Sequence, residues 1–258
     1  LRQNTWTLGE WYDQNYAGNV SYLEAQDLYM WGSNSYGKLG QNSPDNSDRS
    51  SPVQVPGNWS SAGVAYGIKM SGDAYIWGRG VGGRLGLNNN ASRSSPTQIP
   101  GNWKYISQKQ ANAGAIRTDG TLWTWGLNNN GQLGHGNKTT QSSPKQVGSA
   151  DTWKYLNAGG NWFQGIKTDG TLWTWGQNTQ GQLGQNDRLE RLEPVQIGTE
   201  NNWKSVQSNQ YSNIAVKTDG TAWAWGINEA GALMQNNRTK YSSPVQIPGT
   251  DWDTTVND

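Results

Sequence analysis

Apolar and polar side chains alternate in short bursts along this chain, and the bursts recur. In Thr121-Leu122-Trp123-Thr124-Trp125 the two indoles stand two residues apart, so they project from one face of a strand while Leu122 and Thr124 take the other. The register returns as Tyr29/Trp31, Tyr75/Trp77, Trp173/Trp175 and Trp223/Trp225, opposite Leu28/Met30, Ala74/Ile76, Leu172/Thr174 and Ala222/Ala224. With both faces apolar or small, these strands are predicted to lie between neighbouring sheets. Just upstream, Asp119-Gly120 predicts a two-residue hairpin turn, since both residues tolerate positive φ. Ten residues ahead of each Trp-Gly pair stands Ser21, Gly67, Ala115, Gly165 or Ala215, a small residue that predicts strands crowding a common axis. Downstream, Ser242 to Ile247 reads as an outer strand with its Pro where an edge tolerates one.

The bursts are one repeat in five units. Trp-Gly pairs begin at Trp31, Trp77, Trp125, Trp175 and Trp225. A second indole follows at Trp59, Trp103, Trp153, Trp203 and Trp252, and a third marker at Pro52, Pro96, Pro144, Pro194 and Pro244. Three markers in one phase override local readings. Short strands at this period describe the blades of an all-β propeller, with flat indoles wedged between blades. Trp252 to Val256 begins a sixth unit and stops, while unit one lacks a good copy of that opening strand. The expectation is a five-bladed ring over residues 19–258, closed by the C-terminal strand, behind an N-terminal arm of residues 1–18. In that arm Trp6, Trp11 and Tyr12 are candidates for docking. The alternative is that Trp11 opens the first blade itself.

Composition sharpens the picture. Aliphatic residues are sparse while Trp numbers 16 against a single Phe, so indoles must build the core. Twenty basic and 19 acidic residues are interspersed, which leaves no electrostatic footprint for nucleic acid. No apolar run approaches the roughly 18 residues of a membrane-spanning helix. The absence of Cys removes disulfides, thiolate nucleophiles and Cys-based metal sites.

Candidate chemistry is thin. Gly78 to Gly83 spells the dinucleotide pattern G-x-G-x-x-G, but the residues after it read as loop and the same slot elsewhere holds G-x-N-x-x-G. His135 is the only His, and its slot holds Gln41, Leu87, Gln185 and Gln235 in the other units, so it reads as a lone exposed loop residue. Asp119, Asp169 and Asp219 recur as turn residues rather than as acid/base pairs. The expectation is therefore no catalytic group, no metal and no cofactor. Loops that differ between units carry the better signal, because residues the repeat does not require are free to bind. They nominate Asn46, Arg49, Arg93, Lys138, Asp187, Arg188, Arg191 and Arg238 as a loop interaction surface.

The stretches WGSNSYGKLG (Trp31 to Gly40), WGLNNNGQLG (Trp125 to Gly134) and WGQNTQGQLG (Trp175 to Gly184) resemble the signature of the regulator of chromosome condensation repeat, a propeller family whose best-known members have seven blades. Gly80 and Met234 depart from it, for Asn and for the last Gly. The wording of Asn237 to Thr250 and Thr5 to Gln14 is similar to repeat proteins of marine bacteriophages, notably those infecting cyanobacteria. That resemblance implies a non-enzymatic virion protein, a capsid decoration or fibre-like module. Its partners would be other capsid or tail proteins and a host surface receptor or glycan. An intracellular regulator of the nucleotide-exchange kind and a sugar-binding module are the alternatives. A Trp-based light sensor is not supported, because the Gly-Trp-Arg-His-Thr motif of the plant ultraviolet-B receptor is absent.

Overall fold

The computed structural model describes residues 26–43, 47–209 and 211–252. Strands that follow one another in the chain pair as antiparallel neighbours. Unit one contributes β1 (Gln26–Gly32) and β2 (Arg49–Trp59) as a two-stranded ladder. Unit two comprises β3 (Ser61–Ala62), β4 (Tyr66–Ile68), β5 (Asp73–Gly78) and the first part of β6 (Arg93–Lys109). The rest of β6 opens unit three, followed by β7 (Asn112–Arg117), β8 (Leu122–Gly126) and β9 (Gln141–Gln146). Because β6 stays extended through Pro100 and Gly101, units two and three merge into one seven-stranded sheet. Unit four is β10 (Trp153–Ala158), β11 (Trp162–Lys167), β12 (Leu172–Gly176) and β13 (Arg191–Gln196). Unit five is β14 (Trp203–Ser208), β15 (Ser212–Lys217), β16 (Ala222–Gly226) and β17 (Tyr241–Gln246).

The first strands of units three, four and five lie side by side. Ala158 N donates to Ser107 Oγ (2.9 Å) and Ser208 Oγ to Asn157 Oδ1 (2.6 Å). Lys109 Nζ reaches the carbonyls of Ser208 (3.3 Å) and Asn209 (3.2 Å), two units further on. Sheets fanned about an axis lined by their first strands are propeller blades. The arm of residues 1–18, Ser21 and the strand after Trp252 lie outside the described residues. Among the described residues no strand of unit one pairs with a strand of unit five.

The indoles do fill the wedges. Trp77, Trp125, Trp175 and Trp225 are fully buried, each against the Gly that ends the signature of the preceding unit. A Cβ on Gly86 would lie 2.9 Å from Trp125 Nε1, and one on Gly134 equally close to Trp175 Nε1. Trp77, Trp125 and Trp225 donate to the carbonyls of Lys38, Arg84 and Gln182, each at 3.0 Å. Ile116, Leu122 and Val147 of unit three form one cluster with Trp153, Leu156 and Trp175 of unit four; Ile166, Leu172 and Ile197 do the same with Trp203, Val206 and Trp225. Backbone bonds seal each junction further out: Asn42 N to Ser94 O, Asn88 N to Ser142 O and Asn186 N to Ser242 O at 2.7 Å, and Gly136 N to Leu192 O at 2.9 Å.

Two local expectations are corrected. The Asp-Gly turn is a longer loop: Gly120 N donates to Arg117 O, Arg117 N to Thr121 O, and only Gly120 has positive φ (83°). Asp119 instead accepts from Thr121 N (3.0 Å) and Oγ1 (2.6 Å), which holds the turn and lowers its pKa through those bonds. At Gly67 and Gly165 the small residue ahead of the Trp-Gly pair makes room for an indole rather than for an axis. A Cβ on Gly67 would lie 2.4 Å from Trp59, and one on Gly165 2.8 Å from Trp153.

Candidate functional site

All the loops between third and fourth strands leave from the end where the Trp-Gly pair sits, so the variable segments share one face with the turns between first and second strands. The signature Asn is a buried organiser of each loop. Asn128 Oδ1 accepts from Leu133 N (2.9 Å) while its Nδ2 donates to the carbonyls of Asn137 (2.9 Å) and Thr139 (3.1 Å). Asn34, Asn178 and Asn228 likewise accept from Leu39, Leu183 and Leu233. Where unit two has Gly80, its backbone N–H donates to Ser92 Oγ (3.2 Å) instead.

Asn46, Trp6, Trp11 and Tyr12 lie outside the described residues. Of the other nominated residues, several serve the loops themselves. Lys138 pairs with Glu190 of the next unit (2.6 Å), and Glu190 also accepts from Asn130 (2.9 Å), so those bonds lower its pKa. Arg191 pairs with Asp187, and Arg49 donates to Ser43 Oγ (3.1 Å). Arg93 bonds only the adjacent Ser92 carbonyl (3.2 Å), while Arg188 and Arg238 have no side-chain partner among the described residues. Loop variability therefore marks unit-to-unit stitching as well as free surface.

The half-buried indoles are also occupied. Arg117 lies over the rings of Trp103 and Trp123, Lys167 over Trp153 and Trp173, and Lys217 over Trp203 and Trp223, at 3.8 to 5.1 Å from the ring centroids. A sugar ring would have to displace a cation there. His135, read from the sequence as a lone exposed loop residue, is instead half-buried: Thr124 Oγ1 lies 3.1 Å from its Nε2, the place Gln185 Nε2 takes beside Thr174 in unit four. Burial, then the Lys145 charge, push its pKa down to about 4. Among the described residues no group of three potential metal ligands forms, and only a three-residue 3-10 turn follows Gly80. Among the described residues no helix is long and apolar enough to cross a membrane.

One cleft of about 400 Å³ stands apart on the loop face, between units one, two and three. Lys38, Arg79, Arg84 and Lys109 line it with the turn Gly63 to Tyr66, and no Asp or Glu is among its described lining residues. Arg84 is anchored by the carbonyls of Val81 (2.9 Å) and Gln110 (2.7 Å). Burial and then the charge of Arg79 hold its pKa below the usual arginine range, and burial lowers that of Lys109. Val64 protrudes beside them, 73% exposed. None of these residues was nominated from the sequence. The signal lay in aligning the units: the slot of Lys38 and Arg84 holds Gln132, Gln182 and Ala232 elsewhere, that of Arg79 holds Leu127, Gln177 and Ile227, and that of Lys109 holds Gly159 and Asn209.

A second cavity, of about 410 Å³, lies on the outer face of unit five and is lined by Ile214, Val216, Met234 and Trp252. Met234 takes the slot of the junction glycine with φ 53°, and space around Gly231 is open where its counterparts touch the next unit. At the opposite end Tyr29 and Trp31 are 48% and 61% exposed.

Comparison with known proteins agrees with this architecture. The chain resembles human WBSCR16 at 22% identity with a TM-score of 0.76, over 88% of this chain and 63% of that one. It resembles Prp20p from Saccharomyces cerevisiae, studied for its binding to Gsp1p and histones, at 22% identity with a TM-score of 0.75, over 87% of this chain and 59% of that one. The yeast RCC1 (Prp20) bound to Kap60 gives 20% identity and a TM-score of 0.74, over 87% and 57%. The chain thus spans about three-fifths of the length of these propellers. No curated protein matches it. The family described as regulator of chromosome condensation (RCC1) repeat matches at residues 27–68, 71–114, 119–162 and 169–216, and the chain belongs to that family.

Proposed function

We propose that the chain is a non-enzymatic propeller that binds protein partners through its loop face, carried on a bacteriophage virion as a capsid decoration or appendage module. The observation that carries the binding role is the cleft of Lys38, Arg79, Arg84 and Lys109. The repeat does not need these cations, yet the fold brings them together. Repeated polar residues, by contrast, are consumed in holding loops and turns. The yeast relative binds other proteins, which fits a protein-binding role at the level of the fold. The virion setting rests on the resemblance in wording alone. Quantitative mass spectrometry of purified particles against infected-cell lysate tests it: enrichment at fixed stoichiometry is expected. Presence in lysate without particles removes the virion setting and leaves a search for intracellular partners.

The same reading takes the propeller as five blades closed by the segment after Trp252. Its support is an aromatic trio found in every complete unit, such as Trp103 with Trp123 and Trp125. Trp252 starts in that register, its N–H donating to Gly220 O (3.0 Å) as Trp203 N does to Gly170 O. It is 37% exposed, and among the described residues neither it nor Tyr29 and Trp31 of unit one meets another aromatic ring. Deleting residues 253–258 is expected to lower the melting temperature of the chain; an unchanged melting temperature would remove the closed ring.

A further inference from the structure

Four cations gathered without a carboxylate are unusual in a chain whose charges nearly balance. Elsewhere on the loop and turn faces several described cations find acids, Lys138 with Glu190, Arg191 with Asp187, Lys217 with Glu200 and Lys240 with Glu229, while cations without an acid, such as Arg188 and Arg238, stand singly rather than gathered. In the cleft the charged heads bond backbone carbonyls or an aromatic ring instead. Arg84 holds Val81 O and Gln110 O, Lys109 holds Ser208 O and Asn209 O, and Arg79 lies over Tyr36 at 4.9 Å. Those bonds fix two of the heads in place and leave the positive charge uncompensated. Prepositioned cations lose little freedom on meeting an anion.

We propose that this cleft binds an acidic peptide segment of a protein partner, one that alternates carboxylates with an apolar side chain. The inference rests on the protein-binding reading above and names the partner's chemistry. Paired guanidinium groups suit carboxylates, which they grip bidentately. The apolar part follows from Val64, which stands exposed at the cleft beside Tyr66. A free phosphate would leave that surface uncovered. A nucleic acid would need a basic stripe continuing along the face, whereas the equivalent slots of units three and four carry Leu127, Gln132, Gly159, Gln177, Gln182 and Asn209.

The test is fluorescence anisotropy on the full chain at physiological salt. The probe is a labelled peptide with six Glu around one Leu; inorganic phosphate and a single-stranded oligonucleotide of equal charge serve as competitors. Saturable peptide binding is expected, weakened about tenfold or more by Arg79→Glu with Lys38→Glu, since both heads lack structural hydrogen bonds. Lys104→Glu with Lys154→Glu makes an equal charge change at two exposed residues on the end opposite the loop face and is expected to leave affinity unchanged, and Val64→Ser to weaken it about threefold. Circular dichroism melting of each variant separates lost binding from lost folding. No peptide binding, an equal loss in Lys104→Glu with Lys154→Glu, or tighter competition by the oligonucleotide or by phosphate overturns the proposal. Should that happen while the protein is still found at fixed stoichiometry in particles, the protein-binding role stands and only the acidic partner falls.

Discussion

The junction between units four and five and the outer face of unit five are built from the same repeat and end in opposite ways. At the junction, Trp225 is fully buried against Gly184, donates to Gln182 O, and packs with Ile166, Leu172 and Ile197. On the outer face the equivalent aliphatic set is Val216, Ala222 and Ile247, but the glycine is Met234 and the carbonyl of Ala232 meets no indole among the described residues. Met234 holds a left-handed backbone that glycine adopts at no cost, and it fills the place an incoming indole would take. The difference teaches what the signature glycine is for. It is a docking hole for the next unit, and unit five is the one unit that lacks it.

The largest effect expected from this contrast is at the buried end of it. Trp175→Ala empties the junction between units three and four and should cost about 3–5 kcal/mol, read from urea unfolding. Trp31→Ala, at an indole 61% exposed, should cost under about 1 kcal/mol if that end stays open. A similar cost for both would mean that Trp31 is buried in solution and the ring is closed. Next comes Gly134→Met, which copies the plug of unit five into an internal junction. Steric overlap with Trp175 and the left-handed backbone (φ 74°) together should destabilise by about 2–4 kcal/mol. A neutral result would show that the junction can absorb a side chain, and Met234 would then have no blocking role.

Most of this framework was legible in the residues, because the repeat imposes it. Trp123/Trp125 and its copies announced strand, register and wedge together, and the Gly of the signature sits where those indoles dock. The Asp119-Gly120 turn was misread because the sequence does not say which residue pair closes a hairpin; here Thr121 completes an acceptor site on Asp119. Gly67 and Gly165 were assigned to the axis because a small residue says that something is close, not what. The basic cleft escaped for a different reason. Lys38, Arg79, Arg84 and Lys109 come from three units, and each alone looks like drift in a solvated loop. Only their convergence makes them a site.

Giving the plug the glycine of the other four units should have a smaller effect. Met234→Gly relieves a non-glycine left-handed residue and is expected to stabilise the open form by up to about 1 kcal/mol. If the ring closes, the gain should be larger and accompanied by a blue shift of Trp fluorescence as Trp31 is covered. Loss of stability would mean that Met234 contributes more to the outer cavity, through Ile214 and Val216, than its backbone costs.

The smallest effect appears only in acid and compares the same slot in two settings. His135 in unit three is half-buried beside Thr124, whereas Gln235 in unit five, also half-buried, donates to Gln246 O (2.9 Å). Burial, and secondarily Lys145, lower the folded-state pKa of His135 to about 4, while the unfolded chain titrates near 6.5. The unfolded state therefore takes up the proton first, so stability supplied by the neutral ring is intact above pH ~6.5, falls as pH drops below that, and is fully lost near the folded value. Melting temperature should decline through that window in the native chain. His135→Gln, which restores the residue of units one, four and five, should flatten the decline without moving the melting temperature at pH 8. Were the variant to melt lower at pH 8 as well, the imidazole would be packing its loop in a way the amide cannot, and the equivalence of the five slots would fail at this position.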